Sequence, residues 1–251
     1  TIRAQYPAAD LALMELDLAD LGSVRRFAET FRNSYDRLDV LINNAGLMAP
    51  PLQHTRDGFE MQFGTNHLGH FALTGLLLDR LEAADAPRIV VVSSLAHRMG
   101  NIYLDNLDGS RWYRRWQFYG QSKLANLMFA LDLERRLKDN GSSVKVMAVH
   151  PGYSATNLQQ GIPGHALFNA VTAQSQEKGA YPSVFAATSE QAESGRYYGP
   201  HGFMELWGMP AEAQIRRLAR NQEVADRLWQ VSESLTGVSY LSRSTGDRTT
   251  P

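Results

Sequence analysis

The chain has 251 residues, no cysteine, and 25 basic against 26 acidic residues, a formal net charge of −1. That length is ample for a buried core, and 43% hydrophobic with 20% charged residues excludes global disorder. The lack of cysteine excludes disulfides, thiolate zinc sites and iron–sulfur clusters. The balanced charge makes no electrostatic case for nucleic acid or an anionic membrane. No apolar run reaches the ~18 residues of a membrane span, and a cytoplasmic location is expected.

Taken in chain order, Thr1 to Gln5 reads as the tail of a polar helix already under way, so the natural beginning is expected to lie upstream. Leu11–Leu16 reads as a short strand ending at Asp17. Val24, Phe27, Ala28 and Phe31 follow the spacing of a helix with one buried face, capped by Asp20 or Ser23. Leu38–Ile42 is the next strand, followed by a long helix from about Gly58 to Leu81. Arg88–Val92 is a β-branched run suited to a strand buried on both faces. The aromatic stretch from Asn101 to Phe118 is too long for a plain connection. A strong helix then runs to Asn140-Gly141, where glycine supplies the stop.

Val144–Val149 is a further strand. A Gly- and Gln-rich segment from Thr156 to His165, expected to be mobile, precedes a mostly helical Ala166–Thr188. Gly195–Tyr198 reads as a last strand and Arg216–Leu235 as an amphipathic helix. Residues 242–251 form a polar tail expected to be disordered. Alternating strands and helices without a linker predict an α/β, Rossmann-like, doubly wound parallel sheet, with residues 1–241 as one domain.

Open α/β sheets bind ligands beyond their strand ends, and three features lie there. Asn43-Asn44-Ala45-Gly46 lets backbone approach a flat ligand, although alone it is an ordinary turn. Ser93-Ser94 offers hydroxyls to a substrate oxygen, or simply a helix cap. Tyr119 and Lys123, four apart, share a helix face. A phenol near pKa 10 is a poor acid–base group at neutral pH, and a neighbouring ammonium is expected to bring it down. Alone, a Tyr-x-x-x-Lys pair is a weak signal.

In combination with Asn66-His-Leu-Gly69 and Pro151-Gly152, in this order, the features carry more. From about Leu11 to Leu241 the chain resembles the short-chain dehydrogenase/reductase family. It is most similar to the retinol-dehydrogenase-like and WW-domain-oxidoreductase-like branch. The branch resemblance rests on the 25-position gap from Ser94 to Tyr119, the run Tyr119–Asn126, and His150-Pro-Gly-x-x-x-Thr156. It implies Tyr119 as acid/base, Lys123 as its modulator and ribose ligand, Ser94 as carbonyl polariser, and Asn66 as the residue that bends its helix and holds a relay water. It further implies that Asp17 and Leu18 lie beside the adenine, that Asn43, Ala45 and Gly46 line the cofactor, and that Pro151, Gly152 and Thr156 meet its nicotinamide side. The implied activity is hydride transfer between NAD(P)(H), NADP in preference to NAD, and an alcohol or carbonyl substrate. A lipophilic substrate, retinoid-, steroid- or fatty-aldehyde-like, is expected from Ala166-Leu-Phe168, Phe203-Met204 and Trp207.

The sequence departs from the family at its front, where no Gly-rich pyrophosphate turn occurs. The chain beginning at Thr1 is therefore expected to be inactive and to bind no NADPH measurably. The alternative is a non-catalytic regulatory or scaffold protein of the same fold that lost its cofactor loop. An epimerase-like extended relative fits less well, because it shares Tyr-x-x-x-Lys but has a larger C-terminal domain. The apolar helices around Phe71–Leu81 and Leu124–Leu137 are where relatives pair, so a homodimer or homotetramer is expected. His67 and His70 lack partner ligands, so no metal site is expected. Gly152–Thr156 misses the last glycine of a hydrolase elbow. Arg111, Arg114 and Arg115 beside Trp112 and Trp116 read as a loop over the site, not as a nucleic-acid face.

Overall fold

The computed structural model describes residues 2–152 and 175–241. Thr156, Ala166-Leu-Phe168, the segment expected to be mobile and the polar tail lie outside the described residues. A single helical turn, Ile2–Gln5, opens the description. Leu11–Leu16 is not a strand; it carries no regular structure, and Leu13 is fully exposed. A strand exists only where its amides and carbonyls find a ladder, and no pairing in the described sheet includes this segment.

That edge strand is β1 (Val40–Asn43), in a five-stranded sheet ordered as in the sequence. It pairs in parallel with β2 (Arg88–Val92), β2 with β3 (Lys145–Val149), and β3 with β4 (Tyr197–Pro200). The last strand, β5 (Pro210–Glu212), runs antiparallel to β4 and was not legible in the sequence. Three residues with a proline give no alternation to read.

Helix α1 (Leu21–Ser34) starts at Asp20, whose carboxylate accepts from the Gly22 amide. This satisfies a donor that the first helical turn leaves orphaned. The predicted long helix is present but composite. A turn at Met61–Phe63 leads into a π turn at Gly64–Leu68 and then α2 (Gly69–Glu82). Helix α3 (Arg115–Asp139) ends where expected, with Gly141 at φ +72°. Helix α4 (Gln176–Thr188) follows the undescribed segment. The predicted C-terminal helix begins later than expected: Arg217–Arg220 is a 3-10 turn, and Asn221 caps α5 (Gln222–Thr236).

The period of β2 divides the core between two layers. Ile89 and Val91 join α1, α2, α3 and α5 in the larger cluster, while Val90 and Val92 join Met147, Val149 and Ala186 in the smaller one, against α4. Helices on both faces make the sheet doubly wound. The C-terminal part of the chain packs on the apolar residues of α2 and α3. Trp229 of α5 packs on Phe71 and Phe129, and Tyr240 closes over Phe71.

Candidate active site

The carboxyl ends of β1, β2 and β3 carry Asn43–Gly46, Ser93–Ser94 and His150–Gly152 to one side of the sheet. Ser94 heads the 3-10 turn Leu95–Met99, its hydroxyl accepting from the Ala96 amide. Tyr119 lies in the second turn of α3, buried, with the Ser94 side chain near enough to influence its phenol. Lys123, one turn on, is only 5% exposed, and its ammonium donates to the Val92 carbonyl at 3.2 Å. The preceding serine is structural: Ser93 Oγ donates to the Lys123 carbonyl at 2.7 Å, pinning α3 to the end of β2.

The electrostatics differ from the sequence expectation. Burial pushes the Tyr119 phenol up, and the Ser94 side chain partly offsets it. Lys123 itself is depressed to about 8 by burial. Low dielectric disfavours the charged form of each group, so the phenol rises and the ammonium falls. At neutral pH the pair is therefore a protonated phenol beside a charged amine.

Asn66 lies in the π turn, where the widened helix turns its side chain toward the β1 loop. Its Oδ1 accepts from the Leu47 amide at 2.9 Å, and its Nδ2 donates to the Leu47 carbonyl at 3.0 Å and to Ser122 Oγ at 2.9 Å. Both ends of the carboxamide are thus engaged by backbone and by the residue before Lys123. Gly46 occupies the gap between these groups. A Cβ there would lie 2.8 Å from Asn66 Oδ1 and 3.6 Å from Lys123 Nζ. The structure therefore brings Gly46, Asn66, Ser94, Tyr119 and Lys123 together.

The other expected residues are placed differently. Asn43 is buried beneath the site, its Nδ2 donating to Thr74 Oγ1 at 2.9 Å. Ala45 is exposed on the loop. Asp17 is exposed and accepts from the Ala19 amide, whereas the Leu18 side chain belongs to the main core. Gly152 has φ +69°, and a Cβ there would come within 2.4 Å of the Leu206 carbonyl. Pro151 and Gly152 are half-buried beside the turn Gly202–Trp207, which carries the Phe203-Met204 and Trp207 of the expected substrate side. Ser122 and Asn126 were missed as site residues. Asn126 shares the Val92 carbonyl with Lys123 at 3.2 Å, and both lie inside the quoted motif run. His67 and His70 are core residues, bound to Ser232 Oγ and the Asn66 carbonyl.

Arg111 and Arg114 are exposed. The aromatic stretch before α3 forms its own cluster, with Trp112 and Tyr113 on Phe118, and Tyr113 accepting from Gln62 and donating to the Pro50 carbonyl. Only Trp116 reaches Tyr119, edge-on at 6.1 Å between centroids.

The nicotinamide-proximal half of a dinucleotide fits these residues. A buried ammonium, capable of three hydrogen bonds, makes one to Val92, and Gly46, lacking a side chain, lets the loop backbone lie close against Asn66 and Lys123. A parallel α/β sheet with serine, tyrosine and lysine converging at its strand ends defines a dinucleotide-dependent oxidoreductase class. The short chain dehydrogenase family model matches residues 2–165. Human retinol dehydrogenase 14 is 42% identical over 238 residues, covering 91% of this chain and 68% of the relative. Human retinol dehydrogenase 13 is 44% identical over 240 residues, covering 90% and 69%. A crystal structure of an uncharacterized protein from Mycobacterium paratuberculosis superposes with a TM-score of 0.78 at 42% identity, covering 95% of this chain and 80% of that one. The NADPH-bound carbonyl reductase from chicken fatty liver, at 20% identity and a TM-score of 0.56 over 78% of this chain and 76% of that one, shares the fold.

The chain belongs to the short-chain dehydrogenase family of NAD(P)-dependent oxidoreductases. The expected cytoplasmic location does not stand. It rested on absences that assign no compartment, and the curated relatives are retinol dehydrogenases, named for an alcohol that partitions into membranes. No helix among the described residues is long and apolar enough to cross a membrane.

Proposed function

We propose that this protein interconverts a lipophilic alcohol and its carbonyl, with Tyr119 as proton donor and acceptor at the substrate oxygen. The observation that carries the reading is the half-buried Ser94 hydroxyl beside the buried Tyr119 phenol, one turn from the buried Lys123 ammonium. In reduction, Ser94 donates a hydrogen bond to the carbonyl oxygen, and Tyr119 delivers its proton there. In oxidation, Tyr119 takes the proton from the alcohol. Lys123 presents its remaining donors to ribose hydroxyls, and Asn66, locked to Leu47 and Ser122, keeps the Gly46 loop against it. A bound nicotinamide supplies the hydride chemistry. Pro151 and Gly152 are assigned to the nicotinamide side of the cofactor, and NADP is the proposed form on the branch resemblance.

A buried ammonium also argues against a scaffold. It costs stability in the folded state, and a protein with no chemistry to perform gains nothing from it. The lipophilic preference is supported by Phe203, Met204, Trp207 and Met209, all exposed on the segment whose Leu206 carbonyl abuts Gly152. It is supported further by the retinol dehydrogenase relatives.

The test is turnover of all-trans-retinal, decanal and a polar sugar aldehyde with NADPH and with NADH, in the full-length protein. Retinal or decanal should be preferred, and Tyr119→Phe should abolish turnover with an unchanged circular dichroism spectrum. Near-normal rates in Tyr119→Phe would remove the assignment, and turnover of the sugar alone would remove the lipophilic class.

A further inference from the structure

The turn after β4 holds two consecutive non-glycine residues in left-handed backbone, Met204 at φ 51° and Glu205 at φ 60°. Such conformations persist only where the surroundings over-determine them, and they concentrate at working parts of a molecule. Here the surroundings converge on one carboxylate. Glu205 Oε2 accepts from Arg98 Nη2 at 2.7 Å and lies 3.2 Å from His150 Nε2, while Oε1 accepts from the Gln214 amide at 3.1 Å. Each partner sits on a different segment. Arg98 belongs to the 3-10 turn headed by Ser94, and His150 closes β3 immediately before Pro151-Gly152. Gln214 follows β5.

The backbone repeats the connection. The Leu206 carbonyl sits where a Cβ of Gly152 would be, 2.4 Å away, and Gly152 is itself at φ +69°. Beneath the carboxylate, His150 is fully buried against the Tyr197 ring, with His97 edge-on to the same ring and its Nδ1 3.5 Å from the Tyr197 hydroxyl. Burial opposes the Glu205 charge, but His150, the Gln214 amide and Arg98 outweigh it and hold its carboxyl at about 2. The anchor is therefore charged at any working pH.

We infer that Glu205 is a positioning residue: it clamps the strained Gly202–Trp207 turn to the Ser94 turn and to the Pro151-Gly152 segment, fixing the two walls of the site relative to each other. The inference rests on the proposed oxidoreductase reading for its kinetic consequence, though not for its structural one. A carboxylate accepting from three segments over-determines their mutual position. Without it, Ser94 keeps its own cap to Ala96 but loses the tie that fixes its turn from the outer side.

The test uses Glu205→Ala, Glu205→Gln and Arg98→Ala in the full-length protein, well below the melting temperature. Glu205→Ala is expected to lower kcat about tenfold or more for retinal and decanal alike, with the Kd for NADPH within twofold. It should also speed amide exchange in both 202–214 and 94–100. Glu205→Gln, which keeps an acceptor and loses the charge, should recover part of kcat, and Arg98→Ala should speed exchange in the same two segments. If Glu205→Ala does not fold, the other two variants carry the same comparison. A kcat within twofold of wild type in every variant, or faster exchange confined to 202–214, overturns the proposal. If the wild-type protein turns over neither aldehyde, the oxidoreductase reading fails, while exchange still decides the clamp.

Discussion

Gly100 lies directly against the carbonyl of Gly120: a Cβ at position 100 would approach that oxygen to 2.2 Å. Gly100 closes the turn that Ser94 opens, and Gly120 follows Tyr119 in α3. The contact therefore sets how near the serine hydroxyl comes to the phenol. Gly100→Ala must push the turn off the helix. A displacement of about 1 Å in a catalytic constellation can cost roughly 100-fold in rate, and overpacking costs about 1–3 kcal/mol in stability. We expect kcat for retinal reduction to fall about 10- to 100-fold with a modest loss of melting temperature. A variant with wild-type kcat would show that this contact does not set the Ser94–Tyr119 separation.

The Lys123 ammonium gives a second prediction. Its pKa falls from 10.5 to about 8 through burial. Between about pH 8 and 10.5 the unfolded chain holds the extra proton, so stability rises with pH across that window. The cost of the buried charge is fully present below about pH 8, and amounts to about 3 kcal/mol. Lys123→Met is therefore expected to be inactive yet more stable than wild type at pH 7, by roughly 2–3 kcal/mol, with the gap closing near pH 10.5. Urea melts at the two pH values measure it. In the wild-type enzyme, kcat/KM for reduction should fall above about pH 8 as the amine loses its charge. An alkaline limb that begins only near pH 10 would assign that step to another group.

The buried histidines make the fold sensitive to acid, His150 among them. Burial depresses His67 to about 3 and His70 and His97 to about 4, from 6.5. Each is neutral when folded and binds a proton more readily when unfolded. Their contribution is complete above pH 6.5 and is lost as pH falls from there toward 4 and then 3. The slope should remove several kcal/mol between pH 6.5 and 4, on the order of 3 per group at most. His67→Gln should flatten it. Urea midpoints that stay level from pH 7 to 4.5 would contradict the assignment.

Trp229 seals the layer formed by α2, α3 and α5. It is 2% exposed, meets Phe71 edge-on at 5.0 Å, and lies under the Arg136 guanidinium at 4.2 Å. Trp229→Ala should cost about 3–5 kcal/mol and Trp229→Phe much less. Because the ring covers the apolar faces of α2 and α3, the alanine variant should also self-associate in light scattering. A loss under about 1 kcal/mol would mean that Tyr240 and Phe129 close the gap unaided.

The amino-acid sequence by itself determined what neighbours in the chain can decide. Hydrophobic period placed α1, α3, β2 and β3. Asp20 and Gly141 mark helix ends because the cap and the left-handed stop are made within one turn. Tyr119 and Lys123 share a face because a helix repeats every 3.6 residues. Tertiary structure alone decided whatever depends on distant partners. Leu11–Leu16 has strand-like residues but no ladder, since pairing is a property of two segments. The charge states of Tyr119 and Lys123 follow from the low dielectric that the surrounding core creates, and this outweighs the local attraction their spacing suggested. Glu205 gained its place only when folding brought Arg98, 107 residues away, and His150, 55 residues away, within reach of one carboxylate. No period or motif records such a meeting, because the interactions that hold it are formed in space and not along the chain.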